Sequence, residues 1–141
     1  MGYGVRMKIA VVGARQYPDR VHVERFVRFL PGDWEIVSGG ASGVDTFAQD
    51  AAASQHRPYT VFYADWNRVG KAAGMLRNTE IVDASDCVVA FIHGPSRGTM
   101  DTVRKAVAQG KPVWVLTVND APPTWEEIEA KVTAYRSSAA R

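Results

Sequence analysis

The sequence predicts an α/β fold of three layers, with a mostly parallel sheet of about five strands flanked by helices on both faces. Three observations predict it. Apolar runs rich in β-branched residues recur along the chain without alternation, as strands buried on both faces do. Each run is followed by a stretch of helical spacing, and strands alternating with helices of about 10–15 residues build parallel sheets. A chain of 141 residues, 46% hydrophobic and 23% charged, suits one globular domain with its own core.

Residues 7–12 (MKIAVV) form the first strand. In 19–30, Val23, Phe26, Val27 and Leu30 fall at i, i+3, i+4 and i+7, one face of a helix. Residues 34–38 (WEIVS) are the second strand, and Val44, Phe47, Ala48 and Ala51 repeat the helical spacing. Residues 59–63 (YTVFY) give a third strand and 71–84 a helix, despite Gly74. Residues 87–92 (CVVAFI) are the fourth strand, and Met100, Val103 and Val107 mark one side of a helix over 98–109. Residues 112–118 (PVWVLTV) are the fifth strand. Trp125, Ile128, Val132 and Tyr135 mark a last amphipathic helix behind Pro122-Pro123-Thr124. One domain over 1–141 is expected, with 1–6 and 137–141 as loose ends and no internal repeat or linker.

Composition excludes several classes. Seventeen basic against fifteen acidic residues leave a formal charge of +2, too mild to argue a nucleic-acid partner. The single cysteine, Cys87, allows no intrachain disulfide framework and no multi-cysteine zinc site, and it reads as a core residue. The histidines form no evident metal cluster. No apolar run reaches the roughly 18 residues of a membrane span, and residues 1–7 lack a signal-peptide core. A cytoplasmic protein without a membrane partner is expected.

In an open parallel sheet, ligands bind beyond the carboxyl ends of the strands. The first strand ends in Gly13-Ala14-Arg15. The second ends in Ser38-Gly39-Gly40-Ala41-Ser42-Gly43-Val44-Asp45, and the fourth in His93-Gly94-Pro95-Ser96-Arg97-Gly98-Thr99. Glycines let backbone amides approach a ligand, and a helix start adds unpaired N–H groups and partial positive charge. Together they suit phosphate. The chain carries neither G-x-G-x-x-G nor GK[ST], which argues against a plain NAD dehydrogenase and a P-loop NTPase.

Four segments in order, residues 37–48 (VSGGASGVDTFA), 64–66 (ADW), 70–78 (GKAAGMLRN) and 90–99 (AFIHGPSRGT), together with Gly13-Ala14-Arg15, resemble the YspA/YpsA-related branch of the SLOG superfamily. The resemblance spans roughly residues 7–118. That superfamily also includes the Lonely Guy phosphoribohydrolases, putative molybdenum-cofactor carriers and the DNA-processing protein DprA. The resemblance implies a Rossmann-like fold and binding of nucleotides or nucleotide-derived molecules, including NAD derivatives such as ADP-ribose. It departs from the Lonely Guy pattern P-G-G-x-G-T-x-x-E, because Thr102 stands where the catalytic glutamate falls and Asp101 is one position early, about 100° round the helix.

These readings give the candidate residues. Backbone at Gly13, Ser38, Gly39, Gly40, Ala41, Gly43, Gly94, Ser96, Gly98 and Thr99 would cradle phosphate. Arg15, Arg77 and Arg97 would pair with its charge through a planar fork. Asp45 would read ribose hydroxyls, act as a base, or form a capping box with Ser42. Lys71 and Asn78, seven apart, would share a helix face with a groove left at Gly74. Trp66 would stack on a base or ring, cover the core, or meet a second subunit. His93 reads as structural. Trp114 reads as core, and a Trp-rich exterior suggests a homo-oligomer.

The expected function is binding of a nucleotide-derived small molecule (a nucleoside phosphate, ADP-ribose or another NAD derivative) by a sensor, carrier or sequestering protein. No metal and no other cofactor are expected. The alternative is an enzyme cleaving an N-glycosidic or phosphoester bond in such a ligand, with Asp45 or Asp101 as catalytic acid or base. The lesser alternative is a single-stranded DNA-binding module like DprA.

Overall fold

The computed structural model describes residues 7–139. Five parallel strands, β1 (Lys8–Gly13), β2 (Glu35–Ser38), β3 (Tyr59–Val61), β4 (Cys87–Phe91) and β5 (Val113–Leu116), form one sheet in the order β3-β2-β1-β4-β5. The helices are α1 (Arg20–Arg28), α2 (Val44–Ser54), α3 (Trp66–Val69), α4 (Ala73–Ala84), α5 (Arg97–Ala108) and α6 (Trp125–Ala139). The α/β, Rossmann-like architecture read from the sequence is the one observed.

Side chains alternate across the central strands, so each strand feeds two cores. Ile9, Val11, Ile36, Val89 and Phe91 pack under α1, α2 and α6. Ala10, Val12, Val37, Val88 and Ala90 pack under α4 and α5. Continuous apolar sequence in β1 and β4 is what burial on both faces demands.

Local chemistry fixes the helix ends. Asp19 caps α1 by accepting from His22 N at 3.1 Å, and Ser96 caps α5 by accepting from Thr99 N. The C-terminus of α1 is closed by Arg57, which is 4% exposed. Its guanidinium donates to the carbonyls of Val27, Leu30, Pro31 and Trp34 at 2.6–3.1 Å, so four acceptors around the helix end share one cation.

Several boundaries differ from the sequence reading. The third strand ends at Val61 and the fifth at Leu116, because each is an edge strand with one hydrogen-bonded neighbour. Residues 66–72, expected as a loop running into a helix at 71, form α3 and a 3-10 turn (Gly70–Ala72) before α4 begins. Helix α6 runs on to Ala139, past the expected loosening at Ser137, while 1–6 and 140–141 lie outside the described residues. Trp34 is buried and meets Trp125 edge-to-face at 6.5 Å, so it belongs to no exterior surface, and Trp114 is only partly buried. Among the described residues no helix is long and apolar enough to cross a membrane.

Candidate functional site

The chain leaves the middle of the sheet at β1, winds outward through β2 and β3, then returns to the other side of β1 with β4 and β5. The reversal between β1 and β4 leaves a crevice at their carboxyl ends, the usual place for a ligand in such sheets. A cleft of about 440 Å³ opens there.

Many of the expected residues meet in this cleft. Gly13 and Arg15 line it from β1, and Ala41 and Asp45 from the loop after β2. Arg77 and Asn78 reach it from α4, and Ser96, Gly98 and Thr99 from the start of α5. Others do not line it. Ser38, Gly39 and Gly43 are buried beside it, while Arg97 and Gly94 are exposed on the loop that carries Ser96. His93, read as structural, is exposed and forms part of the wall with Gln16 and Thr102. Lys71 is exposed in the 3-10 turn and Asn78 is buried in α4, so they share no helix face.

The loop after β2 is closed on itself rather than open to phosphate. Ser42 is exposed, Gly43 is the N-cap of α2, and no side chain caps that helix, so the expected capping box is absent. Asp45 turns back instead, and one carboxylate oxygen accepts from Gly39 N at 3.0 Å and Ala41 N at 3.3 Å. The expected cradle at 39–43 is corrected on this ground: two of its donors already hold a carboxylate, and phosphate on them would meet negative charge. Burial pushes the Asp45 carboxyl up to about 6, against the lowering pull of the Ala41 amide, the Arg77 charge and the amides of Gly39 and Gly13.

A polar chain continues from this loop to α5. Arg77 donates to the Gly39 carbonyl and, through Nε, to Asn78 Oδ1 at 3.0 Å. Asn78 Nδ2 donates to the Gly98 carbonyl at 3.1 Å and to Asp101 Oδ2 at 3.0 Å. Lys105 Nζ closes the chain on the same Asp101 oxygen at 2.8 Å. Burial works to raise the Asp101 carboxyl, but the bonds from Lys105 and Asn78 hold it below the usual range. Asp101 therefore ties α4 to α5 and stands outside the cleft wall, which removes it as an acid or base facing a ligand.

Two aromatic rings sit beside the cleft on glycine shelves. A Cβ at Gly40 (φ +71°) would come within 2.6 Å of the Tyr63 ring, and one at Gly74 within 3.1 Å of the Trp66 indole. The groove expected at Gly74 is thus filled by Trp66. Both rings remain open to solvent, Tyr63 at 69% and Trp66 at 52%. Arg15 follows β1, Arg68 lies in α3, Lys71 in the 3-10 turn and Arg97 at the start of α5, all exposed, and Arg77 is half-buried. The sequence reading missed Tyr63, which lies two residues past β3 in a stretch read as strand.

This is a Rossmann-like domain whose carboxyl edge combines a small polar cleft with cations and exposed aromatic rings. The model of the DNA recombination-mediator protein A family matches residues 4–69. The Gene 61 protein of Mycobacterium phage D29 is 34% identical over 116 residues, covering 75% of this chain and 93% of that protein. The chain belongs to the family of the phage Gene 61 protein, and its first half resembles the DNA recombination-mediator protein A model.

Solved structures agree on the fold. DprA from Streptococcus pneumoniae superposes with a TM-score of 0.69 at 20% identity, over 94% of this chain and 56% of that one. DNA processing protein A from Helicobacter pylori, described as binding single-stranded DNA, superposes with a TM-score of 0.67 at 19% identity, over 94% of this chain and 81% of that one. The chain thus spans little more than half of the Streptococcus protein.

These likenesses correct three expectations. A nucleotide-derived small molecule as the ligand, with ADP-ribose as its example, is set aside for a DNA-processing kinship. The argument against a nucleic-acid partner falls with it. The YspA-related branch is not supported, and the resemblance found is to the DNA recombination-mediator protein A model.

Proposed function

We propose that this chain binds single-stranded DNA along the carboxyl edge of its sheet. The observation that carries the reading is the pair of solvent-open rings, Tyr63 and Trp66, held on Gly40 and Gly74 beside Arg15, Arg68, Lys71, Arg77 and Arg97. Single strands are held by cations that follow the backbone and by aromatic rings on which unstacked bases lie. Supporting it, the family model is that of a DNA recombination mediator, and a structurally similar protein is described as a single-strand binder. Binding of this kind is tolerant of sequence, because every base has a stacking face. A cytoplasmic location belongs to the same proposal.

The α5 N-terminus and the Ser96 and Thr99 hydroxyls face the cleft and suit a phosphate passing over it. Arg15 and Arg97 are the exposed cations on either side of the β1–β4 crevice. The closed loop at 39–43 serves as a shelf for Tyr63 rather than as a phosphate cradle.

Anisotropy of a labelled oligothymidylate of about 20 nucleotides, titrated across salt concentrations, tests this. Three phosphate contacts give a slope of log K against log[salt] near about −2 for single strands. Duplex DNA of the same length should bind more weakly, because its bases are not available to the rings. Binding that is absent at low salt, or equal for duplex and single strand, overturns the proposal.

A further inference from the structure

A second groove, of about 740 Å³, runs between α1 and the connection from β5 to α6. It lies on the α1/α6 face of the sheet, and none of its lining residues lines the cleft. Val21, Arg25 and Phe29 follow at i, i+4 and i+8 along its α1 wall. Val21 is 58% and Phe29 72% exposed, which is unusual for two bulky apolar side chains sharing one groove with Trp125. From Val21 to Phe29 the wall is roughly 12 Å long, the rise of about two helical turns.

The rim decides what fits. Asp19, Asp120 and Glu126 bring three carboxylates to the groove, against the one permanent cation of Arg25. Asp120 is held in its charged form: its carboxylate accepts from Thr117 N at 2.7 Å and Thr117 Oγ1 at 3.0 Å, which lowers it below the usual range. His22 has its ring nitrogens at 2.7 Å from the Tyr17 hydroxyl and 2.9 Å from the Asp120 carbonyl, which fixes the wall. An apolar floor with an acidic rim repels a phosphate backbone and attracts an apolar anchor flanked by basic side chains.

We propose that this groove docks a two-turn amphipathic helix of another protein, with apolar side chains at i, i+3/i+4 and i+7 and lysines or arginines on its flanks. The inference goes beyond DNA binding and does not depend on it. A partner seated here leaves the cleft, Tyr63 and Trp66 uncovered, so both surfaces can be occupied at once.

Two labelled peptides of about 14 residues test it, both with leucines at that spacing, one flanked by lysines and one by glutamates. With the full chain, the lysine peptide should bind in the micromolar range and the glutamate peptide about tenfold more weakly. Phe29→Ser, at an exposed position, should weaken the lysine peptide by more than about tenfold while leaving oligonucleotide binding unchanged. Glu126→Gln should narrow the gap between the two peptides. Amide shifts on titration should fall on α1 and residues 118–126. Failure of the lysine peptide to bind at millimolar concentration, equal binding of the two peptides, or indifference to Phe29→Ser overturns the proposal. So does displacement of the peptide by oligonucleotide, or a self-association that Phe29→Ser abolishes, since either gives the groove a different occupant.

Discussion

Replacing Asp45 by asparagine should make the protein less sensitive to pH and more avid for DNA. The Asp45 carboxyl is 5% exposed, and burial raises it from 3.8 to about 6. In the unfolded chain it titrates near the lower value. Between the two values the folded protein holds a proton that the unfolded chain has lost, so stability falls as pH rises through this window. Above about 6 the fold carries a buried charge, and the shift corresponds to about 3 kcal/mol relative to its acid form. Asparagine keeps the shape and loses the charge. Its amide oxygen can still accept from Gly39 and Ala41, since both amides point to a single carboxylate oxygen. Urea denaturation of both proteins from pH 3.5 to 7.5 provides the measurement. Other carboxylates titrate in both and cancel in the difference. That difference should move by about 3 kcal/mol in favour of Asp45→Asn as pH rises. The same charge lies in the cleft wall, so wild-type affinity for oligothymidylate should rise on acidification through pH 6, while the affinity of the variant should not. Parallel stability curves would refute the assignment of a raised carboxyl, and parallel binding curves would refute its effect on DNA.

Other consequences are quicker to check. Arg57→Leu removes the guanidinium from four carbonyls at the end of α1, leaving those of Leu30 and Trp34 without it while Val27 and Pro31 keep backbone donors, and should cost about 3–5 kcal/mol, read as a Tm lower by about 10–20 °C. Arg97→Ala removes one exposed cation and should reduce the salt slope of oligonucleotide binding by about 0.7, with thermal stability unchanged. Trp66→Ala should weaken single-strand binding by about 1–3 kcal/mol with little change in the salt slope, because a stacking contact is lost and no counterion is involved. Gly74→Leu should reproduce much of that loss by displacing the indole from its shelf, and should move the Trp66 fluorescence.

The strands were legible because a doubly covered parallel sheet writes itself as uninterrupted apolar sequence. The apolar runs locate β1 and β4, fully flanked, to within a residue, whereas they overrun the edge strands β3 and β5. Apolar residues at an edge also serve other ends: Tyr63 leaves the sheet to lie on Gly40, and nothing in YTVFY says so. The glycine loops point to the cleft, and Arg15, Arg77, Asn78, Ser96 and Thr99 line it. What each loop does was hidden, because that depends on the return of Asp45 onto Gly39 and on Arg77 reaching the same glycine from 38 residues away. Gly74 shows the same limit. A gap in a helix face reads as a groove, and only the fold shows that Trp66 occupies it.

Net charge misled for a related reason. A formal +2 is a sum over the chain, whereas a polyanion meets the field of one surface. At the carboxyl edge Asp45 is buried on the amides of its own loop and Asp101 is paired with Lys105 and Asn78, which leaves Asp65, exposed at the start of α3, as a surface carboxylate there. The arginines of the same edge are left facing outward. Asp19, Asp120 and Glu126 collect on the α1 side, where they balance the chain's total without opposing the edge. A nearly neutral chain can thus present a basic edge and an acidic groove. The sign of a surface is set by which carboxylates the fold consumes, and that is decided by hydrogen bonds between residues far apart in sequence.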